Sequence, residues 1–190
     1  MPACFYFDYS SPYAYLASER IAALIPNAEW RPLAFGFLIR EIGKTPWSFA
    51  ADRAARFAEI DARAQALGLE PLRYAEGWPR ETWSVLPLRA GLVSAELGRL
   101  REYTREAYRV GFGEGRSLAD LDAVLDAVAA AGLERDEVRA GMDRPEIKDR
   151  LKANTREALE LGVTGIPTVA VDGELYWGED RLDAAAAAAL

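Results

Sequence analysis

Residues 3–7 (Ala-Cys-Phe-Tyr-Phe) form an unbroken apolar run with three aromatic rings, the pattern of a short strand covered on both faces. Residues 8–12 interrupt it. From Tyr13 the apolar positions Tyr13, Leu16, Ala17, Ile21 and Leu24 return at helical spacing. Pro12 stands where a first helical residue tolerates a missing N–H, and Ser11 is the natural N-cap. Pro26-Asn27 ends this helix, and residues 28–33 alternate as a second strand. Far downstream, residues 168–171 and 175–177 flank Asp172-Gly173, a pair suited to the positive φ angles of a tight hairpin. Residues 180–190 then read as an alanine-rich helix. Between about residue 36 and about 162 the periodic segments are all helical. They cover residues 50–67, 81–109 and 145–161. A further segment, with Leu118, Leu121, Val124, Leu125 and Val128 on one face, is capped by Ser117 and ends at Gly132.

This order predicts an α/β architecture. A strand-helix-strand unit at one end and a hairpin plus helix at the other combine into a four-stranded mixed sheet with flanking helices. That is a thioredoxin-like fold interrupted by an all-helical insertion. The expected boundaries are residues 1–35 and 163–190 for the discontinuous thioredoxin-like domain and 36–162 for the insertion.

Composition narrows the chemistry. The 190 residues hold 23 basic and 30 acidic side chains, a net charge of −7, and 51% of them are hydrophobic. An acidic chain without a basic block argues against nucleic-acid or anionic-membrane partners and leaves small molecules or proteins. The absence of histidine removes Ser-His and Cys-His nucleophile pairs and the usual zinc or iron ligand sets, so no metal is expected. The single cysteine, Cys4, excludes an intrachain disulfide and a Cys-x-x-Cys redox pair. No apolar stretch has the length of a membrane span, and no basic region precedes an apolar run at the start, so a soluble, cytoplasmic protein is expected.

Three places could carry chemistry. Ser11 sits where a strand meets a helix N-terminus, whose positive end would stabilise a thiolate or carboxylate beside the hydroxyl. A plain N-cap, worth about 1 kcal/mol, is the simpler reading of this residue taken alone. Ile166-Pro167 lies just before the third strand; a cis bond there would turn the backbone of Ile166 toward a ligand, although X-Pro bonds are mostly trans. Gly178, Asp180 and Arg181 open the last helix and could hold a zwitterionic amine and carboxylate, or simply form an acidic first turn with a surface pair. Cys4 in mid-strand reads as an inert core thiol. Asp8 ends the first strand, a common site position in open sheets and also an ordinary turn position. Phe35, Phe37, Trp47, Phe49, Trp78 and Trp83 could line an apolar pocket or, more simply, fill the core.

Taken together, two segments resemble the signatures of 2-hydroxychromene-2-carboxylate isomerases and kappa-class glutathione transferases, within the DsbA-like thioredoxin superfamily. The first is Phe5-Tyr6-Phe7-Asp8-Tyr9-Ser10-Ser11-Pro12-Tyr13-Ala14-Tyr15-Leu16-Ala17. The second joins Gly162-Val163-Thr164-Gly165-Ile166-Pro167-Thr168 to Asp172-Gly173-Glu174-Leu175-Tyr176-Trp177-Gly178-Glu179-Asp180-Arg181-Leu182. The resemblance implies glutathione as cofactor, with Ser11 in place of a redox cysteine and hydrogen-bonded to the glutathione sulfur. It implies a cis Pro167, with Ile166 bonding the peptide portion, and Gly178, Asp180 and Arg181 at the γ-glutamyl end. It further implies a homodimer and a glutathione-dependent isomerase acting on an aromatic-degradation intermediate. A kappa-like transferase on other electrophilic substrates, or a non-catalytic thioredoxin-like binding module, are the alternatives. In the insertion, Gly43-Lys44-Thr45-Pro46 stands where the family tends to place an asparagine after a glycine, and Arg53, Phe57 and Asp61 are approximate counterparts of residues on its next helix.

Overall fold

The computed structural model describes residues 2–189; Met1 and Leu190, the last residue of the expected terminal helix, lie outside the described residues. Strands β1 (Cys4–Phe7) and β2 (Glu29–Pro32) run parallel and are joined by helix α1 (Pro12–Leu24). The chain continues through α2 (Phe35–Glu41), α3 (Arg53–Ala66), α4 (Val85–Glu96), α5 (Leu100–Tyr108), α6 (Leu121–Ala130), α7 (Arg135–Met142) and α8 (Pro145–Glu160). It ends in β3 (Thr168–Val171), β4 (Glu174–Trp177) and α9 (Leu182–Ala188). The strand order is β2-β1-β3-β4, with β3 antiparallel to both neighbours. The four-stranded mixed sheet and its helical insertion are the thioredoxin-like fold that the element order predicts.

Alternation along each strand divides the core between the two faces of the sheet. Phe5, Phe7, Trp30, Val169, Val171 and Tyr176 face α1, α9 and the large helical block. Tyr6, Ala170 and Leu175 face the other way, against Leu38 of α2 and Ala158 of α8. Phe5, Tyr6 and Phe7 are all fully buried, and at about 1.5–3 kcal/mol for each large side chain removed from water they make β1 the anchor of the sheet.

Local signals set most boundaries. Ser11 caps α1: its backbone is extended and its Oγ accepts from the Ala14 amide at 3.2 Å, with Pro12 as the first helical residue. Asp172 and Gly173 take φ of 47° and 88°, the geometry the β3–β4 hairpin requires. Other places depart from expectation. Of residues 81–109, 81–84 lie outside any helix and the rest form two, α4 from Val85 and α5, because the chain turns at Gly98 and α5 starts afresh at Leu100. The cap of α6 is Asp120, whose Oδ1 accepts from the Asp122 amide; Ser117 instead closes a turn onto the Ala119 amide. Between α5 and Glu114, residues Arg109–Gly113 widen into one π-helical turn. The final helical segment begins as a 3-10 turn over Glu179–Arg181.

Candidate functional site

The antiparallel register of β1 and β3 pairs Tyr6 with Thr168, so the next residues outward, Phe7 and Pro167, lie side by side. The turn leading into Ser11 therefore shares one end of the sheet with Ile166-Pro167, whose peptide bond is cis. Strand β4 joins them there: Thr168 pairs with Trp177, and the Gly178 amide donates to the Pro167 carbonyl at 2.9 Å. Gly178 has φ of 116°, and a side chain there would meet the Asp180 Oδ1 folded over its Cα. Asp180 and Arg181 themselves are exposed. The candidate residues Ser11, Ile166, Pro167 and Gly178 thus converge, with Asp180 and Arg181 on the adjoining turn.

Ser11 is 9% exposed. As an N-cap, its oxygen accepts from Ala14 at the positive end of α1, and a hydroxyl that accepts there still has its proton to donate. The turn before it is held by Asp8, which is fully buried. Its Oδ1 accepts from the Ser10 amide at 2.9 Å and its Oδ2 from the Phe35 amide at 2.8 Å. The Ser84 and Ser10 hydroxyls lie near the same carboxylate and help to hold its pKa down. The Asp8 carbonyl accepts from the Ser11 amide at 3.2 Å and from the Tyr108 hydroxyl at 3.1 Å. Burial pushes the Asp8 carboxyl up, against the opposing pull of the Ser10 and Phe35 amides.

A ribbon of charges borders this end of the sheet. Tyr13 of α1 donates to Glu59 at 3.3 Å. Glu59 pairs with Arg63 one turn along α3 at 2.7 Å, and Arg63 reaches Glu179 at 2.7 Å. Glu179 also pairs with Arg20 of α1, which in turn holds Asp183 at 2.7 Å. Glu179 is 6% exposed, so the buried charge of the 178–181 turn is this residue and neither of its expected neighbours. The i,i+4 spacing of Glu59 and Arg63 is visible in the sequence; their link to Glu179 is not.

On the helical side, Arg53, Phe57, Asp61, Leu72, Tyr74, Trp78 and Pro79 line a cleft of about 360 Å³. Its rings contact one another, Phe57 and Trp78 each at 4.8 Å from Tyr74. Trp78 links the cleft to the Ser11 turn, its Nε1 donating to the Ser10 carbonyl at 3.4 Å. Trp47 extends the cluster to Tyr13. Among the aromatics singled out from the sequence, Trp78 lines the cleft and Trp47 packs beside it. Phe37 and Phe49 are exposed instead, at 53% and 40%; Trp83, though 72% exposed, lines a smaller pocket with Tyr9, Ser10 and Trp78. No pattern in the sequence marks Tyr74. Cys4 is only partly buried, beside Glu29 and Arg31, and burial pushes its thiol up. Among the described residues no helix is long and apolar enough to cross a membrane.

The chain is similar to the 2-hydroxychromene-2-carboxylate isomerase of Sphingobium xenophagum, 23% identical over 186 residues that cover 94% of this chain and 93% of the relative. Among solved structures, a 2-hydroxychromene-2-carboxylate isomerase superposes with a TM-score of 0.77 at 21% identity, covering 96% of this chain and 91% of the other. The cytosolic disulfide reductase DsbM of Pseudomonas aeruginosa, solved with GSH, gives 0.64 at 22% identity, covering 97% and 96%. The DSBA-like thioredoxin domain family matches residues 4–189. The chain belongs to that family, in the superfamily that also contains the 2-hydroxychromene-2-carboxylate isomerases.

Proposed function

We propose that this protein is a glutathione-dependent isomerase of the 2-hydroxychromene-2-carboxylate isomerase type, with residues 1–35 and 163–190 as its thioredoxin-like domain and 36–162 as the insertion that shapes the substrate cleft. The observation that carries the reading is a nearly buried serine, Ser11, capping a helix N-terminus at the same end of the sheet as the cis Ile166-Pro167 bond, in a chain whose one cysteine lies elsewhere on β1. The GSH bound to the related disulfide reductase supports the same cofactor class here.

The residues fit such a ligand. Ser11 offers a hydroxyl donor and a helix dipole to a sulfur anion, the Ile166 backbone offers amide partners to a peptide, and the exposed Asp180 and Arg181 offer one charge of each sign to its zwitterionic end. When bound, glutathione would supply the thiolate for reversible addition to a conjugated double bond. A free thiol has a pKa near 8.5, and lowering it by about two units takes roughly 2.7 kcal/mol. One hydrogen bond to a charged acceptor, about 1.5–3 kcal/mol, with a helix terminus at about 0.5–1, is sufficient. The aromatic cleft beside Ser10 would pack a planar acceptor on Phe57, Tyr74 and Trp78, with Arg53 available for an anionic group.

Titration calorimetry with reduced glutathione tests this directly. Binding at millimolar concentration, with ultraviolet thiolate absorbance at neutral pH that Ser11→Ala abolishes, is the expected result. A folded protein that binds no glutathione, or a Ser11→Ala variant with undiminished thiolate absorbance, refutes it. The same reading carries a homodimer, to be checked by light scattering.

A further inference from the structure

We propose that Asp8 is a positioning residue for Ser11: its carboxylate pins the turn between β1 and α1 to the start of α2, and so aims the Ser11 hydroxyl at the sulfur of a bound thiol. The inference rests on the glutathione reading above. An ionised carboxylate accepts through both oxygens, and Asp8 gives one to each of two separate parts of the chain. Ser10 supplies its amide to Oδ1 at 2.9 Å and Phe35 its amide to Oδ2 at 2.8 Å, while the Ser84 and Ser10 hydroxyls stand near the same carboxylate. The Asp8 carbonyl then takes the amide of Ser11 itself. Both residues that define the approach to the hydroxyl, Ser10 and Ser11, therefore hang from one side chain and its own backbone. Ser84, at the N-cap of α4, makes no capping bond to that helix and lies near the same carboxylate.

A buried carboxylate whose donors are all neutral dipoles costs stability that an apolar side chain of similar size would not. What it supplies in return is orientation, since no apolar group can hold the Ser10 and Phe35 amides together. Asparagine cannot do so either. Whichever way its amide is turned, the nitrogen faces one of those two N–H groups, and one of the two bonds is lost.

The sign of the effect separates positioning from simple electrostatics. Removing a negative charge near a thiolate, taken alone, lowers the thiol pKa. Loss of aim at Ser11 raises it. The test compares wild type, Asp8→Asn and Ser84→Ala by titrating the ultraviolet thiolate absorbance of bound reduced glutathione, with affinity for S-methylglutathione measured alongside. Asp8→Asn is expected to raise the bound thiol pKa by about one unit, roughly tenfold less thiolate at a given pH below it. Its affinity for S-methylglutathione, which has no thiol to ionise, is expected to stay within about twofold, a free-energy difference small on the scale of tenfold per 1.4 kcal/mol. Ser84→Ala removes a hydroxyl that stands near the same carboxylate without touching the turn, and is expected to shift the thiol in the same direction by less. A thiol pKa in Asp8→Asn that is unchanged or lower overturns the inference, and so does an equal loss of affinity for both ligands. If Asp8→Asn does not fold, an unchanged or lower thiol pKa in Ser84→Ala overturns it. Failure of the wild-type protein to bind glutathione at all is a different result, and refutes the functional reading on which this one stands.

Discussion

Glu179 is the most informative place to perturb the fold near the site, because one buried carboxylate joins α1, α3 and the turn after β4. Its side chain is 7% exposed, while Arg20 and Arg63 are 24% and 30% exposed. Removing one partner of a fully buried pair costs about 3–5 kcal/mol, since the remaining charge is stranded. Arg63→Met keeps the aliphatic stem and strands Glu179 only in part, as Arg20 remains. The partial exposure of Arg63 reduces the loss further, toward the range of surface pairs, about 0–1 kcal/mol. Between these limits we expect Arg63→Met to cost about 1.5–2.5 kcal/mol. For a chain of this size that lowers Tm by about 3–10 °C, at about 2–4 °C per kcal/mol. The decisive measurement is a double-mutant cycle with Glu179→Gln, by urea denaturation at low and high salt. A coupling of about 1–2 kcal/mol that survives added salt is expected for a desolvated pair. Coupling below about 0.5 kcal/mol, or coupling that vanishes with salt, would place the contact among surface pairs and refute the structural role assigned to Glu179.

Other substitutions test packing and protonation. A Cβ at Gly91 would stand 2.6 Å from the Tyr9 hydroxyl oxygen, itself buried and bonded to Thr104. Alanine gains up to about 1 kcal/mol in a helix, but overpacking costs about 1–3, so Gly91→Ala should destabilise by about 1 kcal/mol in chemical denaturation; a stabilised variant would contradict the packing. Ser11→Ala should cost about 1 kcal/mol for the lost cap while the protein stays folded, as read by thermal unfolding. Because burial raises the Asp8 carboxyl above 3.8, the unfolded chain releases that proton first as pH rises, so fewer protons are bound in the unfolded state. Wild type should therefore lose stability relative to Asp8→Asn as pH climbs from about 4 through the folded-state value. A difference that stays flat, or grows with pH, in urea melts would refute that sign.

The parts of the fold readable in the sequence are those set by neighbours along the chain. The β1 apolar run, the Ser11 cap with Pro12, the Asp172-Gly173 hairpin and helix α8 each depend on residues within a few positions of one another. Helix α2 was invisible for the opposite reason. It is seven residues long, its N-cap Ala34 makes no side-chain bond, and its first amide is satisfied by Asp8, 27 residues earlier. The split between α4 and α5 is marked by a single Gly98 within an otherwise continuous helical pattern, and periodicity alone does not weigh one glycine heavily. At the site, Ser11 and Ile166-Pro167 carry family signatures, whereas Arg63 and Glu179 meet across 116 positions and resemble ordinary surface charges in the sequence. Burial is what separates Glu179 from the exposed Asp180 beside it, and burial is a property of the assembled fold.

Among the described residues, Asp8 and Glu179 are the acidic side chains that the fold buries. They lie at the same end of the sheet, one beneath the turn before Ser11 and the other beneath the turn after Gly178. Desolvated carboxylates are a poor route to stability, since apolar replacements of similar volume are often neutral or better. Each instead fixes a backbone segment that an apolar side chain could only cover: Asp8 holds the amides of Ser10 and Phe35, and Glu179 holds Arg20 and Arg63 from two helices. A protein that carries its own reactive cysteine needs the surrounding backbone to tune that group. One that takes its sulfur from a diffusible cofactor must also hold the receiving groups in place before the sulfur arrives, because each loose donor adds to the entropic cost of binding. In the glutathione reading proposed above, two buried carboxylates at the end of the sheet that carries the N-cap serine would meet that requirement.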